Sequence, residues 1–292
     1  MRTPGEFART ASPEALFAIA GISQYTGAVV AVNLFEEVRP ATVAWFRVMS
    51  AALLLVAVSW KQVRSGWTRA ELLSAAVFGI ATAVMNLFFY LALDRLPLGK
   101  SVVIEFIGPI AVAAAFTRTM RNSIALVLAA AGVAVLSGVE LGGEPWGIFF
   151  IFAASGMWAV YIILGRRVAQ LDRGLAGLGL GLAIGSVAIL PFGVAGSARV
   201  FGDGRLLLMC VAVGALSSAI GYGIDQVVMR RIPVRRFAVL LALLPVSAMV
   251  LGFVALGQRP SIADLVGAAL VIAGVVLQER DELTPGLDEV PA

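Results

Sequence analysis

Apolar residues fall into ten stretches along this chain, at about 14–35, 40–60, 70–93, 99–117, 123–140, 146–165, 174–194, 205–229, 236–256 and 261–279. Each is roughly 18 to 25 residues long, near the length a helix needs to cross the roughly 30 Å core of a bilayer. Short polar segments separate them and leave no room for a soluble domain. The pattern predicts an all-α membrane protein with ten transmembrane helices. A long apolar run satisfies its own backbone hydrogen bonds only as a helix, which is why the lipid phase favours that state.

Composition agrees with the pattern. Of 292 residues, 60% are hydrophobic and 14% charged, with a mean hydropathy of +0.95. A soluble domain carries about 25% charged residues. The net charge of +4 does not indicate nucleic acid, because the basic residues are spread over short loops and form no patch. Histidine is absent and Cys210 is the one cysteine. Histidine-based triads, histidine metal sites and disulfides within the chain are therefore excluded. No cofactor or metal site is expected. No close acid pair, and no Ser or Cys beside a candidate base, suggests an enzyme.

Lys and Arg in the loops set the orientation. With the N-terminus inside, the inner segments hold 15 of the 22, the outer loops hold 6, and Arg47 lies within a span. Both termini are therefore expected in the cytoplasm. The first span, preceded by Arg2 and Arg9, lacks a small-residue cleavage site and reads as a retained helix. Trp60, Trp67 and Trp146 stand where interfacial anchors would, or where ordinary packing would place them. Residues 281–292 are acidic and proline-containing and read as a disordered cytoplasmic tail.

The chain repeats itself. "LDRLPLGKSVVIEFIGPIAV" aligns with "MRRIPVRRFAVLLALLPVSA", so that Arg95, Pro97 and Pro109 match Arg231, Pro233 and Pro245. Earlier, Pro13, Phe17, Ile19 and Ser23 match Pro145, Phe149, Ile151 and Ser155. The repeat spans five helices, an odd number, so the second copy must cross the membrane inverted. The expected units are 1–140 and 141–280. Inverted repeats of this kind place a transport site near the midplane between halves.

Charged residues within spans are few and costly, so each needs a reason. Glu105 lies in "SVVIEFIGPIAVAAAFT", four residues before Pro109. Pro109 cannot donate to the carbonyl of Glu105 and clashes with it, and Gly108 eases a kink. Pro245 does the same to Leu241. Such an acid could be protonated in one state and hold a cationic group in another, or form a structural ion pair. Arg47 could grip a substrate carboxylate through two N–H groups, or serve as a fixed partner of Glu105. Asp225 could be a second polar gate, or an interfacial acid beside Arg230 and Arg231. Gln24, Tyr25 and Thr26 form a polar patch halfway along the first span, and Asn86 and Tyr90 share a face of the third. These groups can line a cavity or join helices. "GLAGLGLGLAIG" is not a nucleotide loop: Gly177, Gly181 and Gly185 recur every four residues, as on the small-residue face of a packed membrane helix.

These residues carry a resemblance. The chain is similar to the EamA group of the drug/metabolite transporter superfamily, over nearly all ten spans. The most specific stretch is "MNLFFYLALDRLPLGKSVVIEFIGPIAVA", supported by "GMWAVYIILGRR" and "LSSAIGYGIDQVVMRRIPVRRF". The resemblance implies two inverted five-helix repeats around a central cavity in the bacterial inner membrane. It implies proton-coupled, alternating-access export of a small, zwitterionic metabolite, an amino acid such as threonine or homoserine. Export of drugs, nucleosides or other metabolites is the alternative. Gln24, Arg47, Asn86, Tyr90, Glu105, Gly108 and Pro109 match the family pattern, and Asp225 falls where it has a glutamate. Two positions depart from it: Leu244-Pro245 stands for Glu-Pro, and Leu256-Gly257-Gln258 for Leu-Gly-Glu.

Overall fold

In a computed structural model of the protein, the described residues are 11–96, 101, 104–117, 119–136, 144–171, 173, 175–247 and 261–277. Every regular element among them is helical. The labelled helices are α1 (Pro13–Leu34), α2 (Pro40–Val58), α3 (Arg69–Leu93), α4 (Ile107–Ala115), α5 (Met120–Leu136) and α6 (Pro145–Gln170). They continue as α7 (Ala176–Ala188), α8 (Leu190–Gly202), α9 (Gly204–Met229), α10 (Val234–Leu240) and α11 (Ile262–Leu277). The tail, the N-terminal arginines, Pro97 and Leu256-Gly257-Gln258 lie outside the described residues.

Local chemistry explains several boundaries. Ser12 caps α1 by accepting from the Ala15 amide at 3.2 Å, with Pro13 at the first helical position. α3 opens on a capping box: Thr68 Oγ1 accepts from the Glu71 amide, and Glu71 returns the bond to the Thr68 amide at 2.8 Å. Arg173 then docks on Glu71 at 2.9 Å and stacks over Trp67 at 4.9 Å, tying the loop after α6 to the start of α3. Trp67 is thus held by packing, whereas Trp60 and Trp146 are exposed.

Five helices, α1, α2, α3, α6 and α9, are long and apolar enough to cross a membrane, and α7 with α8 makes a sixth if the bent pair is one span. The expectation of ten spans is therefore met in part among the described residues. α5 and α11 are shorter apolar helices, and α4 and α10 are shorter still. The stretch expected as one span at 174–194 bends by 60° at Ile189. Pro191 follows two residues later and cannot donate to the carbonyl of Val187, which weakens the helix there. Another departure lies inside α9, where Gly214–Ile220 winds as a π-helix.

Helices cross closely where side chains vanish. A Cβ on Gly79 of α3 would run into the Gly181 backbone of α7, and one on Gly185 would meet the Gly79 carbonyl. Gly177, at the same spacing, faces the Val168 side chain instead. Backbone cannot retreat from an added methyl group as a side chain can. We expect Gly79→Val to cost about 3 kcal/mol, at the upper end of overpacking. Thermal unfolding in detergent measures this, and an unchanged midpoint would refute the close crossing. Elsewhere, Gly132 of α5 packs on Gly267 of α11, while α9 is bonded to α1 by Ser23 Oγ donating to the Leu216 carbonyl at 2.7 Å. Large apolar side chains such as Leu53, Leu73, Val127, Val187 and Leu208 face outward, as lipid contact requires.

Candidate functional site

Glu105 precedes a break. The chain is helical at 104–105, turns at Phe106 and resumes as α4 at Ile107. Pro109 then occupies the first turn of α4, where amides lack helical partners in any case. The second half breaks likewise: α10 ends at Leu240, Leu241 and Ala242 form a turn, and 243–247 is helical again around Pro245. Both breaks lie three to four residues upstream of the matched prolines. Gly108 allows α4 to approach α6 so closely that a Cβ would strike the Ser155 carbonyl.

These breaks open onto one cavity. Its wall takes Gln24, Tyr25 and Ala28 from α1, Arg47 from α2, and Met85, Asn86 and Phe89 from α3. Glu105 and Phe106 come from the first break, Trp158 from α6, Tyr222 and Asp225 from α9, and Leu241 and Leu244 from the second break. Glu105 and Leu241 are partners under the repeat offset of 136, and both line the cavity. Phe106 packs edge-on against Trp158 at 5.0 Å.

Arg47 is 7% exposed. Its Nε donates to Ser218 Oγ at 2.8 Å, Nη2 to the Tyr222 hydroxyl at 3.0 Å and Nη1 to the Tyr90 hydroxyl at 3.4 Å. Its guanidinium also lies 5.5 and 5.6 Å from the Tyr90 and Tyr222 ring centres. A guanidinium has five N–H groups. Three are used, and two remain to meet an anion. Among the described residues Arg47 and Glu105 form no ion pair. Glu105 is half-buried and faces the same cavity.

The other sequence candidates separate. Asn86 is buried in the wall, donating to the Thr82 carbonyl at 2.7 Å and accepting from the Tyr222 hydroxyl at 3.1 Å. Tyr90, expected beside it on the cavity, stands behind the wall and supports Arg47. One turn along α3 from Asn86, it has rotated out of the lining but still reaches the guanidinium. Thr26 turns away and donates to the carbonyl of Ile22 at 2.8 Å. Asp225 is 2% exposed, lines the cavity and accepts from the Tyr161 hydroxyl at 2.9 Å. Gln24 lines the cavity from α1, where the Ser217 hydroxyl of the π-helix donates to its backbone carbonyl at 3.2 Å.

Tyr222, Trp158 and Ser218 were not singled out by sequence reasoning. Tyr222 could have been: it lies at Asn86 plus the repeat offset of 136, and the two side chains bond to each other. Trp158 and Ser218 carry no comparable signal, since a tryptophan or serine in an apolar helix is commonplace.

Comparison with known proteins bears directly on this arrangement. Residues 145–278 match the EamA-like transporter family. The threonine/homoserine exporter RhtA of Salmonella typhimurium strain SL1344 is 30% identical over 268 residues, covering 89% of each chain. RhtA of Escherichia coli K12 is 29% identical over 278 residues, 92% of this chain and 93% of that one. A solved crystal structure superposes with a TM-score of 0.68 over 90% of this chain and 95% of its own, at 22% identity, a likeness of fold. Apolar helices of spanning length and transporter relatives along almost the whole chain describe a multi-pass membrane protein that moves a small molecule, not an enzyme. The chain belongs to the EamA-like transporter family.

Proposed function

We propose that this protein exports a small zwitterionic metabolite, an amino acid such as threonine or homoserine, across the bacterial inner membrane by proton-coupled alternating access. One observation carries the reading. Arg47 and Glu105 face one cavity from different helices and, among the described residues, form no ion pair with each other. A buried charge with no opposite partner is costly, and a molecule bearing both charges would relieve both. The cargo carboxylate takes the two remaining N–H groups of Arg47, and its ammonium lies by Glu105. A proton arriving at Glu105 from outside displaces the ammonium, releases the cargo and resets the carrier.

The cycle needs two halves that rock about the site, and several features support an inverted repeat of residues 1–140 and 141–280 as five spans each. The breaks at Phe106 and at Leu241–Ala242 are matched. Asn86 and Tyr222, repeat partners, bond across the cavity. Gly108 of the first half packs on Ser155, while Gly21 packs on Ser247 and Leu244, a corresponding contact with the halves exchanged. The excess of Lys and Arg in alternate loops supports cytoplasmic termini, with 281–292 as a tail. Both RhtA relatives are named as threonine/homoserine exporters.

The aromatic share of the lining, Tyr25, Phe89, Phe106, Trp158 and Tyr222, favours a second reading in which the cargo is a drug, nucleoside or other flat metabolite. Counterflow in proteoliposomes separates the two. Amino acids should exchange, while their decarboxylated amines and their deaminated acids should exchange at least about tenfold less well. Equal exchange of the amine would overturn the zwitterion reading.

A further inference from the structure

The π-helix at Gly214–Ile220 lies immediately before the cavity residues Tyr222 and Asp225 on α9. A π-turn closes i→i+5 bonds, holds one residue more than an α-turn and is rare, so it persists where neighbours hold it. Here the neighbours are α1 and α2. Ser23 Oγ of α1 donates to the Leu216 carbonyl at 2.7 Å, and Ser217 Oγ donates to the Gln24 carbonyl of α1 at 3.2 Å. Arg47 Nε of α2 donates to Ser218 Oγ at 2.8 Å. A Cβ on Gly27 would strike Ser217 Oγ, and one on Gly214 would strike Ser50 Oγ, so the two glycines let the π-turn seat. Every one of these outside partners comes from residues 1–140, whereas α9 lies in the second repeat proposed above.

We infer that α9 changes its winding at Gly214–Ile220 during transport: π while it lies against α1 and α2, and α when the halves part. The inference rests on the alternating-access reading above. Separation of the halves takes Ser23, the Gln24 carbonyl and Arg47 away from the turn together, and with them what holds it. Rewinding as α turns the segment beyond Ile220 by one residue, about 100° around the axis and about 1.5 Å along it. Tyr222 then leaves Arg47 Nη2 and Asn86 Oδ1, which it meets here at 3.0 and 3.1 Å, and Asp225 leaves the lining. Motion between the halves thereby becomes a change in the wall that faces the cargo. Ser23 stands outside that wall and acts as a positioning residue, through the Leu216 carbonyl.

Two variants test this. Deletion of Ile220, whose side chain is exposed, removes the extra residue, so α9 winds as α throughout while Tyr222 and Asp225 keep the places they have here. In detergent the deletion variant should bind threonine within about threefold of wild type, read from the rise of its unfolding temperature with threonine concentration. In proteoliposomes its threonine counterflow should fall at least about tenfold, because the winding can no longer change. Counterflow equal to wild type would overturn the inference and leave the alternating-access reading standing. Ser23→Ala keeps the chain length and withdraws the hydroxyl from the Leu216 carbonyl. Its counterflow should fall about fivefold or more, with threonine affinity changed about threefold or less. An unchanged rate in Ser23→Ala overturns the inference whether or not the deletion variant folds, as does an equal loss of rate and affinity. Wild-type protein that binds no threonine, or binds it without exchanging it, fails the transport reading itself and this inference with it.

Discussion

Glu105→Gln should abolish export driven by a pH gradient and leave a slow exchange indifferent to pH. The amide keeps the size of the side chain and one acceptor oxygen, but it can neither take up a proton nor carry charge. Loss of a charge-assisted bond to the ammonium costs about 1.5–3 kcal/mol, so half-saturation should rise roughly 10- to 100-fold. The pH dependence is the sharper readout, and its sign is fixed by competition. In the wild type, acidifying the outer face protonates Glu105 and weakens cargo binding there, which favours release. Apparent affinity at that face should therefore fall as pH falls. In the variant the same titration should be flat. Because Glu105 takes no hydrogen bond from the described residues, the substitution breaks no bond to its neighbours.

Arg47→Lys should lower transport efficiency by about 100-fold, although the charge is kept. The guanidinium satisfies Ser218, Tyr90 and Tyr222 and still presents two N–H groups. An ammonium has three donors on one atom and cannot reach three hydroxyls on three sides and a carboxylate as well. Buried hydroxyls of Tyr90 and Tyr222 would be left without their donor, at about 1–3 kcal/mol for each unmet group. Selectivity distinguishes a lost grip from a loosened fold. Wild-type protein should prefer an amino acid over its decarboxylated amine, and Arg47→Lys should lose most of that preference. Equal preference in both proteins would mean that Arg47 holds the helices together and does not touch cargo.

The helices were legible from the alternation of apolar and polar stretches, and the observed boundaries of α1, α2, α3 and α6 fall within a few residues of those expected at the starts, because proline and capping residues mark them. The bend at Ile189 and the π-helix at Gly214–Ile220 were not. Hydropathy is blind to backbone geometry in a run that stays apolar through the bend, and the π-helix, which packs against α1 and α2, lies in a run that is equally apolar. At the site, charge was the strong signal. Arg47, Glu105 and Asp225 stood out because apolar spans tolerate few such residues, and all three line the cavity. The nearness of Arg230 and Arg231 along the chain gave no sign of Asp225's bond partner, which is Tyr161 from α6. Tyr90 shares a face with Asn86 on paper, but a single turn separates lining from support. Tyr222 was hidden as one more aromatic in an apolar helix, though the repeat offset from Asn86 pointed to it.

Flux in proteoliposomes holding purified protein and labelled threonine, with the outer face of the carrier acidified, tests the central claim most directly. Threonine should move toward the acidic side against its own gradient, protons should move the other way in step with it, and a protonophore should stop the accumulation. Threonine flux that runs only down its gradient and ignores the pH difference would contradict proton-coupled export.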